Sequence, residues 1–144
     1  MSNLSASLLT VSEALYDHLK AGKTQLGLED VWYDITGLVP RTPAILIEPD
    51  TKTRELTNTG FQTLNTFSVA VIIIHSRMAS NSITNAECLK LAEDVESYIH
   101  TDRTLGGILI HSYVISIEQG SVTQQKVLLR ATRLVWNGIS KTRM

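Results

Sequence analysis

Two stretches of the chain carry apolar residues at the spacing of an amphipathic helix. The first stretch has them at Leu8, Val11, Leu15 and Leu19. This spacing predicts a helix over residues 4–20, which Gly22 is expected to end in the left-handed cap conformation. The second stretch has them at Ala86, Leu89, Ala92, Val95 and Ile99. Thr84 and Glu87 stand at the spacing of a capping box, so we predict a second helix over residues 83–100.

Five other stretches are rich in the β-branched and aromatic residues that strands favour. They are residues 31–35, 44–47, 67–75, 108–118 and 126–136. The polar residues 23–30 are expected to be a connector, and the threonine-rich residues 50–60 an extended, exposed arm. Residues 119–121 (Gln-Gly-Ser) lie between the last two strands, so we place a hairpin turn there. Residues 137–144 are polar and basic and are expected to form a tail.

The order of the predicted elements is α-β-β-β-α-β-β, which favours a single α+β domain over residues 1–144. We expect a mixed, mostly antiparallel sheet of four to five strands with two helices packed on it. The chain has 144 residues, of which 43% are apolar and 19% charged, as is typical of a globular domain. Its formal net charge of −1 demands neither nucleic acid nor a membrane surface as a partner.

Three features of the sequence bear on where the protein is made. Cys88 is the only cysteine, which excludes an internal disulfide and suits a reducing compartment. The longest strongly apolar run, residues 69–74, is far shorter than the roughly 20 residues of a membrane helix. The N-terminus lacks the pattern of a signal peptide. We therefore expect a soluble protein made in a cytoplasm.

The sequence contains no recognisable catalytic or metal-binding motif. The four histidines are His18, His75, His100 and His111, and none stands at the short spacing of a zinc motif. Cys88 has no base placed to activate it. Residues 105–107 (Leu-Gly-Gly) lack the Gly-Lys-Ser/Thr ending of a phosphate-binding loop. We therefore predict that the protein is not an enzyme and holds no metal or cofactor, although a site shared between subunits would escape this reasoning.

The last predicted strand has apolar residues on both of its faces. One face holds Val127, Leu129, Ala131 and Val135, and the other holds Leu128, Arg130, Thr132, Leu134 and Trp136. Two helices can cover only one face of a sheet, so we expect another protein to cover the second face. Burial of each large apolar side chain contributes about 1.5–3 kcal/mol, which favours self-association. The alternatives are that the two helices pack on opposite faces or that the arm folds back over the sheet.

Charge is unevenly distributed along the chain. No acidic residue follows Glu118, whereas the second predicted helix carries Glu87, Glu93, Asp94 and Glu96 against Lys90 alone. A basic surface and an acidic surface on one subunit favour a head-to-tail contact between copies, which closes into a ring if the rotation allows. A solvated helix face and a basic tail would explain the same charges.

Several stretches together suggest a known family. They are the N-terminal helix, residues 43–49 leading into the arm with Arg54, the strand 67–75, a helix, residues 102–107 (Asp-Arg-Thr-Leu-Gly-Gly) and the strand 128–136. In this pattern, which covers roughly residues 4–140, the chain resembles the tail-terminator and tail-to-head joining (neck) proteins of long-tailed bacteriophages. The resemblance implies a structural virion protein without catalytic residues.

The resemblance also implies a set of partners. Such subunits form a ring, usually a hexamer, that caps a finished tail tube and offers a surface to the connector or completion protein of the head. DNA passes through the ring without sequence-specific binding. The protein would then lie in the tail or neck of the virion, after assembly in the host cytoplasm.

The resemblance points to specific interface residues. Arg54 and Glu55 in the arm are candidates for contact with the tail tube or with a neighbouring subunit. Arg130, Leu134 and Trp136 are candidates for the subunit–subunit face. Two other interpretations are another head-completion or connector protein and a small monomeric ligand-binding α/β domain.

Overall fold

The computed structural model describes residues 7–33, 41–56, 62–77 and 84–143. Its elements in chain order are α1 (Leu8–Ala21), α2 (Lys23–Leu26), β1 (Asp30–Tyr33), β2 (Ala44–Leu56), β3 (Gln62–Arg77), α3 (Asn85–Ile99), β4 (His111–Gln124) and β5 (Val127–Arg143). The predicted α+β class is confirmed, and the two predicted helices are α1 and α3. The one-turn helix α2 is additional and lies in the predicted connector. Residues 4–6, 34–35, 57–60 and 83, to which the predicted elements extend, lie outside the described residues.

Hydroxyl side chains begin both long helices. Ser7 Oγ accepts the backbone N–H of Thr10 at 3.0 Å, and Thr84 Oγ1 accepts that of Glu87 at 3.2 Å, at the predicted cap. Gly22 ends α1, but with φ of −95° it does not adopt the predicted left-handed conformation. Glycine fits this position for a different reason, because a Cβ atom there would overlap the ring of Tyr98.

The five strands form one sheet in the order β1-β2-β3-β5-β4. β1 and β2 pair in parallel, and every other neighbouring pair is antiparallel. Consequently β1, β2 and β5 run in one direction, and β3 and β4 run in the other. The sheet is therefore mixed and mostly antiparallel, as the sequence predicts.

Both long helices pack on the same side of the sheet, which we call the helix face. Their buried residues join alternate strand residues in one apolar cluster. The largest members from α1 and α3 are Leu15, Leu19, Val95 and Ile99, and those from the strands are Ile45, Ile47, Phe67, Ile73, Leu134 and Trp136. The arrangement with helices on opposite faces is therefore excluded.

The other side of the sheet, which we call the open face, carries a second and smaller cluster. Its buried members are Ala44, Leu46, Ala70, Ile72, Ile74, Leu129 and Ala131. The half-buried Trp32, Val122 and Val127 pack against them, and none of the described helices contributes a residue. The predicted excess of apolar residues on a second face thus exists, but it lies on the face of Leu129 and Ala131.

The strands are long, and both ends of the sheet reach beyond its buried centre. β2 is buried over residues 44–47, whereas no residue from Glu48 to Leu56 is buried. At the opposite end, the β4–β5 hairpin turns at Gln125 and Lys126, with φ of 47° and 65°. The predicted turn at residues 119–121 is therefore wrong, because β4 continues through them. Residues 137–143, predicted as a tail, are the last part of β5 and pair with β3.

Candidate subunit interface

Arg54 and Glu55 lie in a three-stranded extension, called here the arm, made of residues 50–56, 62–68 and 137–143. Both side chains are exposed, and Arg54 stands opposite Asn65, which in turn stands opposite Ser140. Lys52 Nζ lies 5.5 Å from the ring centroid of Phe67, a member of the helix-face cluster. Because alternate strand residues share a face, Arg54 also points to the helix face and Glu55 to the open face.

The electrostatics of the arm on the helix face are those of a cationic surface. Burial lowers the pKa of Lys52, and the nearby positive charge of Arg54 lowers it further. Leu56, at the outer end of the same row, has 65% of its surface exposed. The arm therefore presents two cations and one large apolar side chain in a row on the helix face.

Arg130 lies at the opposite end of the sheet, beside the start of α3. Its Nη1 donates a hydrogen bond of 3.0 Å to Asn85 Oδ1, which ties β5 to the first turn of that helix. A cleft of about 370 Å³ opens here, lined among others by Cys88, Gly120 and Arg130. The structure therefore does not bring Arg130 together with Arg54 and Glu55 within one chain.

Leu134 and Trp136 are fully buried on the helix face, within a single chain. The indole ring of Trp136 lies over Gly138, where an added Cβ atom would be 2.6 Å from that ring and 2.8 Å from Leu109. The reason for naming Leu134 and Trp136 as a subunit surface is therefore removed. Leu128, on the same row, is 47% exposed because it lies beyond the cover of the helices.

The exposed large apolar side chains lie mostly at the margins of the fold. Among the residues that the structure describes, they are Leu9, Leu56, Leu89, Ile108, Ile110, Tyr113, Ile115 and Leu128. Sequence reasoning missed most of them, because apolar residues in helix and strand patterns look the same whether or not the sheet covers them. Ile115 has no sequence signal, because what distinguishes it is a property of the folded sheet: it is the residue skipped where the β4–β5 register shifts between Val114 and Ser116.

The two outer edges of the sheet differ in how well they are protected from pairing with a strand of another chain. β4 forms one edge, and of its 14 residues only Ser112 is buried. Natural edge strands are usually shielded by lysine, proline or extra charge, but β4 contains no lysine or proline and a single carboxylate, Glu118. The edge N–H of Val114 is satisfied by His100 Nε2 at 3.0 Å. Among the described residues, no strand pairs with the outer edge of β4 beyond Val114.

The second edge is formed by β1 and, beyond it, by the outer part of β2. Within the described residues β1 extends to Tyr33, which stands opposite Ile47. Among the described residues no strand pairs with the outer edge of β2 from Glu48 to Leu56. This edge carries Pro49 and a register shift between Pro49 and Thr51, which limit the partners that it can accept.

The described part of the chain offers little for catalysis. No group of three His, Cys, Asp or Glu side chains lies close enough there to hold a metal ion. Burial, with Arg130 as a lesser cause, lowers the pKa of His75 to about 4, so its ring is neutral near pH 7. His75 Nε2 lies 2.7 Å from Thr132 Oγ1, a structural contact within the core. No helix of the described residues is long and apolar enough to cross a membrane.

Comparison with known proteins gives an informative match among the solved structures. No protein-family model and no curated protein matches the sequence. A solved structure described as the "Virion of native gene transfer agent (GTA) particle" contains a similar chain, with a TM-score of 0.55 and 14% identity. The match covers 91% of this chain and 94% of the other. At this identity the likeness shows a shared fold over almost the whole of both chains.

Proposed function

We propose that this chain is a non-enzymatic structural protein of a virion, and that it forms a ring which terminates the tail tube and joins it to the head. The observation that carries the proposal is the fold match with a chain of a virion particle over more than nine-tenths of both chains. A match of this extent involves the whole architecture and not one common motif.

The shape of the molecule supports assembly with other chains. The arm projects at one end of the sheet and the β4–β5 hairpin at the other, and both leave apolar side chains such as Leu56 and Leu128 exposed. Two different protruding ends on one subunit suit a head-to-tail contact, which generates a closed ring when the rotation closes. The resemblance of the sequence to tail-terminator and neck proteins specifies the kind of ring, usually a hexamer.

In this proposal the partners are further copies of the chain, the tail tube protein and the connector or completion protein of the head. DNA passes through the hole without sequence-specific binding. Arg54 and Glu55 contact the tube or a neighbouring subunit, and Arg130 contributes to the subunit–subunit face. The alternative within the same class is another head-completion or connector protein.

The proposal is tested by mass measurement and negative-stain microscopy of the protein, alone and with purified tail tubes. We expect rings of uniform diameter, six-fold when averaged, and tubes that bear a ring at one end and no longer elongate. A protein that is monomeric alone but caps tubes also supports the proposal, since assembly can require the tube. A compact monomer that never associates with tubes, at low or high salt, contradicts it and favours the small ligand-binding domain.

A further inference from the structure

We propose that β4 of one copy pairs antiparallel with the outer edge of β2 in the arm of the next copy, with Arg54 beside Glu93 and Leu56 beside Ile115. This inference rests on the proposed self-assembly and names the surfaces that carry it. The occupant of the β4 edge is therefore a second copy of this chain.

Strand direction makes the two outer edges compatible. β2 and β4 run in opposite directions within one sheet. When the sheet of one copy continues into the sheet of the next around a ring, each strand keeps its direction, so the β4 edge of one copy meets the β2 edge of the next in antiparallel orientation. Antiparallel pairing is the slightly more stable kind per residue and needs no covering helix. A heterologous ring contact can therefore be made by backbone pairing.

One flank of α3 stands over the β4 edge. His100 marks this flank, because its ring accepts the edge N–H of Val114. Glu96, Glu93 and Leu89 lie four, seven and eleven residues before His100 and so share its side of the helix. Glu93 is exposed, and Leu89 has 43% of its surface exposed. An acidic and apolar row thus borders the edge on the helix face.

The levels of the two surfaces agree along the sheet to within about one strand residue. Glu93 lies seven residues before His100 in α3, about 10 Å along the helix axis. Because the register shift adds one residue to β4, Ile117 stands opposite Leu134, two residues along β5 from the partner of Val114, or about 7 Å. Since α3 and β4 run in opposite directions from the His100–Val114 contact, Glu93 and Ile117 lie within about 4 Å of the same level. A long side chain of a neighbouring strand opposite Ile117 on the helix face would reach Glu93.

Arg54 supplies the complementary charge on the correct face. It points to the helix face of the arm, as α3 does on its own copy, so a continuous sheet brings Arg54 and Glu93 to the same side. With Arg54 opposite Ile117, Leu56 falls opposite Ile115, which has no partner on β5 and is 48% exposed. One register therefore matches a cation with an acid and an exposed leucine with an exposed isoleucine.

The same register closes a ring without unusual sheet geometry. Within one copy Arg54 is level with Ser140, and Ile117 is level with Leu134, six residues away on β5. This offset is about 20 Å along the strands. It accumulates across four strand spacings, three from β2 to β4 within one copy and one across the contact between copies. Together these spacings measure about 19 Å across the strands. The strands would then incline by roughly 45° to the ring axis, at the upper end of the inclinations of about 35–45° in closed barrels.

The first test exchanges the two charges. Arg54→Glu and Glu93→Arg each alter an exposed side chain, so thermal unfolding should show the fold retained. We expect each single variant to raise the protein concentration at half-assembly by about tenfold, because like charges then face each other. The double variant should return to within about threefold of the wild type. As a matched control, Glu13→Arg on α1 combined with Arg54→Glu should give no rescue.

The second test joins the proposed neighbours covalently. Leu56→Cys and Ile115→Cys are introduced together in a Cys88→Ala background, and the assembled protein is oxidised. The two sites lie on β2 and β4, with β3 and β5 between them, so a disulfide within one chain is excluded by distance. We expect the double-cysteine variant to give a ladder of cross-linked oligomers on a non-reducing gel, up to the size of the ring. Each single-cysteine variant should give no cross-linked species larger than a dimer.

The outcomes separate this inference from the proposed function. Rings that assemble normally in every charge variant and form no ladder overturn the β4–β2 pairing while leaving the ring intact. Failure of the wild type to assemble at all, with or without tail tubes, overturns both. Rescue by the double variant together with the ladder supports the pairing.

Discussion

His75 should make the folded protein less stable as the pH falls below about 6.5. The side chain is 3% exposed, and burial lowers its pKa from 6.5 to about 4, with the positive charge of Arg130 as a lesser cause. In the unfolded chain the pKa returns to about 6.5, so the unfolded state binds the proton more tightly. Stability is therefore complete above pH 6.5 and is lost as the pH falls toward 4. The two pKa values differ by about 2.5, which corresponds to about 3 kcal/mol, of which about 2 kcal/mol is lost by pH 5.

The assay is urea-induced unfolding, followed by circular dichroism, at pH 8, 7, 6 and 5. His75→Gln is the comparison, because glutamine does not titrate and can still bond to Thr132. Other groups, including His100, whose pKa is also lowered by burial, contribute to both proteins alike. Between pH 8 and pH 5 the free energy of unfolding of the wild type should fall by about 2 kcal/mol more than that of the variant. Equal decreases in the free energy of unfolding of the two proteins would refute the reasoning.

Three further changes test the local structure through thermal unfolding. Gly22→Ala should lower the free energy of unfolding by about 1–3 kcal/mol. The new methyl group displaces the Tyr98 ring from its stack on His18, where the two ring centroids are 4.6 Å apart. An unchanged Tm would contradict the overlap between that methyl group and the ring. Thr84→Ala should lower the free energy of unfolding by about 1 kcal/mol through loss of the α3 cap, whereas Thr84→Ser, which keeps the hydroxyl group, should lower it much less. Lys126→Gly should stabilise the protein by up to about 1 kcal/mol, because residue 126 has a φ of 65°, and Lys126→Ala should not.

The sequence was sufficient for the two long helices and the five strands, but not for the short helix α2, the hairpin turn or the faces of the sheet. The helical stripes predicted α1 and α3, since a 3.6-residue period has one interpretation. In β5, however, both alternating rows are apolar, so the pattern could not tell which row lies under the helices. The helices pack on the row that contains Leu134 and Trp136, and the absence of a side chain at Gly138 leaves space for the indole ring. The hairpin turn was misplaced because Gln125 and Lys126 adopt positive φ without the glycine or asparagine that usually signals it.

The candidate site was only partly accessible from sequence for a related reason. Arg54 and Glu55 stand out in a polar stretch, and the structure places both on an exposed arm. Glu93 and Ile115 have no local pattern to distinguish them. Their relation to Arg54 and Leu56 depends on strand order, on the His100–Val114 contact and on a register shift in β4, all of which are properties of the folded sheet.

Burial of Leu134 and Trp136 changes the physical reason for expecting self-association. Sequence reasoning required another chain to cover the apolar face of Leu134 and Trp136, and the helices already cover that face. The cluster on the open face lies under none of the described helices, but its members are buried within the chain as well. Among the described residues, what remains exposed is a backbone edge, bordered by Leu89, Glu93 and Ile115, with few of the charges that normally prevent pairing. A contact built on such an edge depends on direction, register and charge more than on apolar area. It should therefore weaken with rising salt, whereas an interface made of buried apolar faces would hold or strengthen.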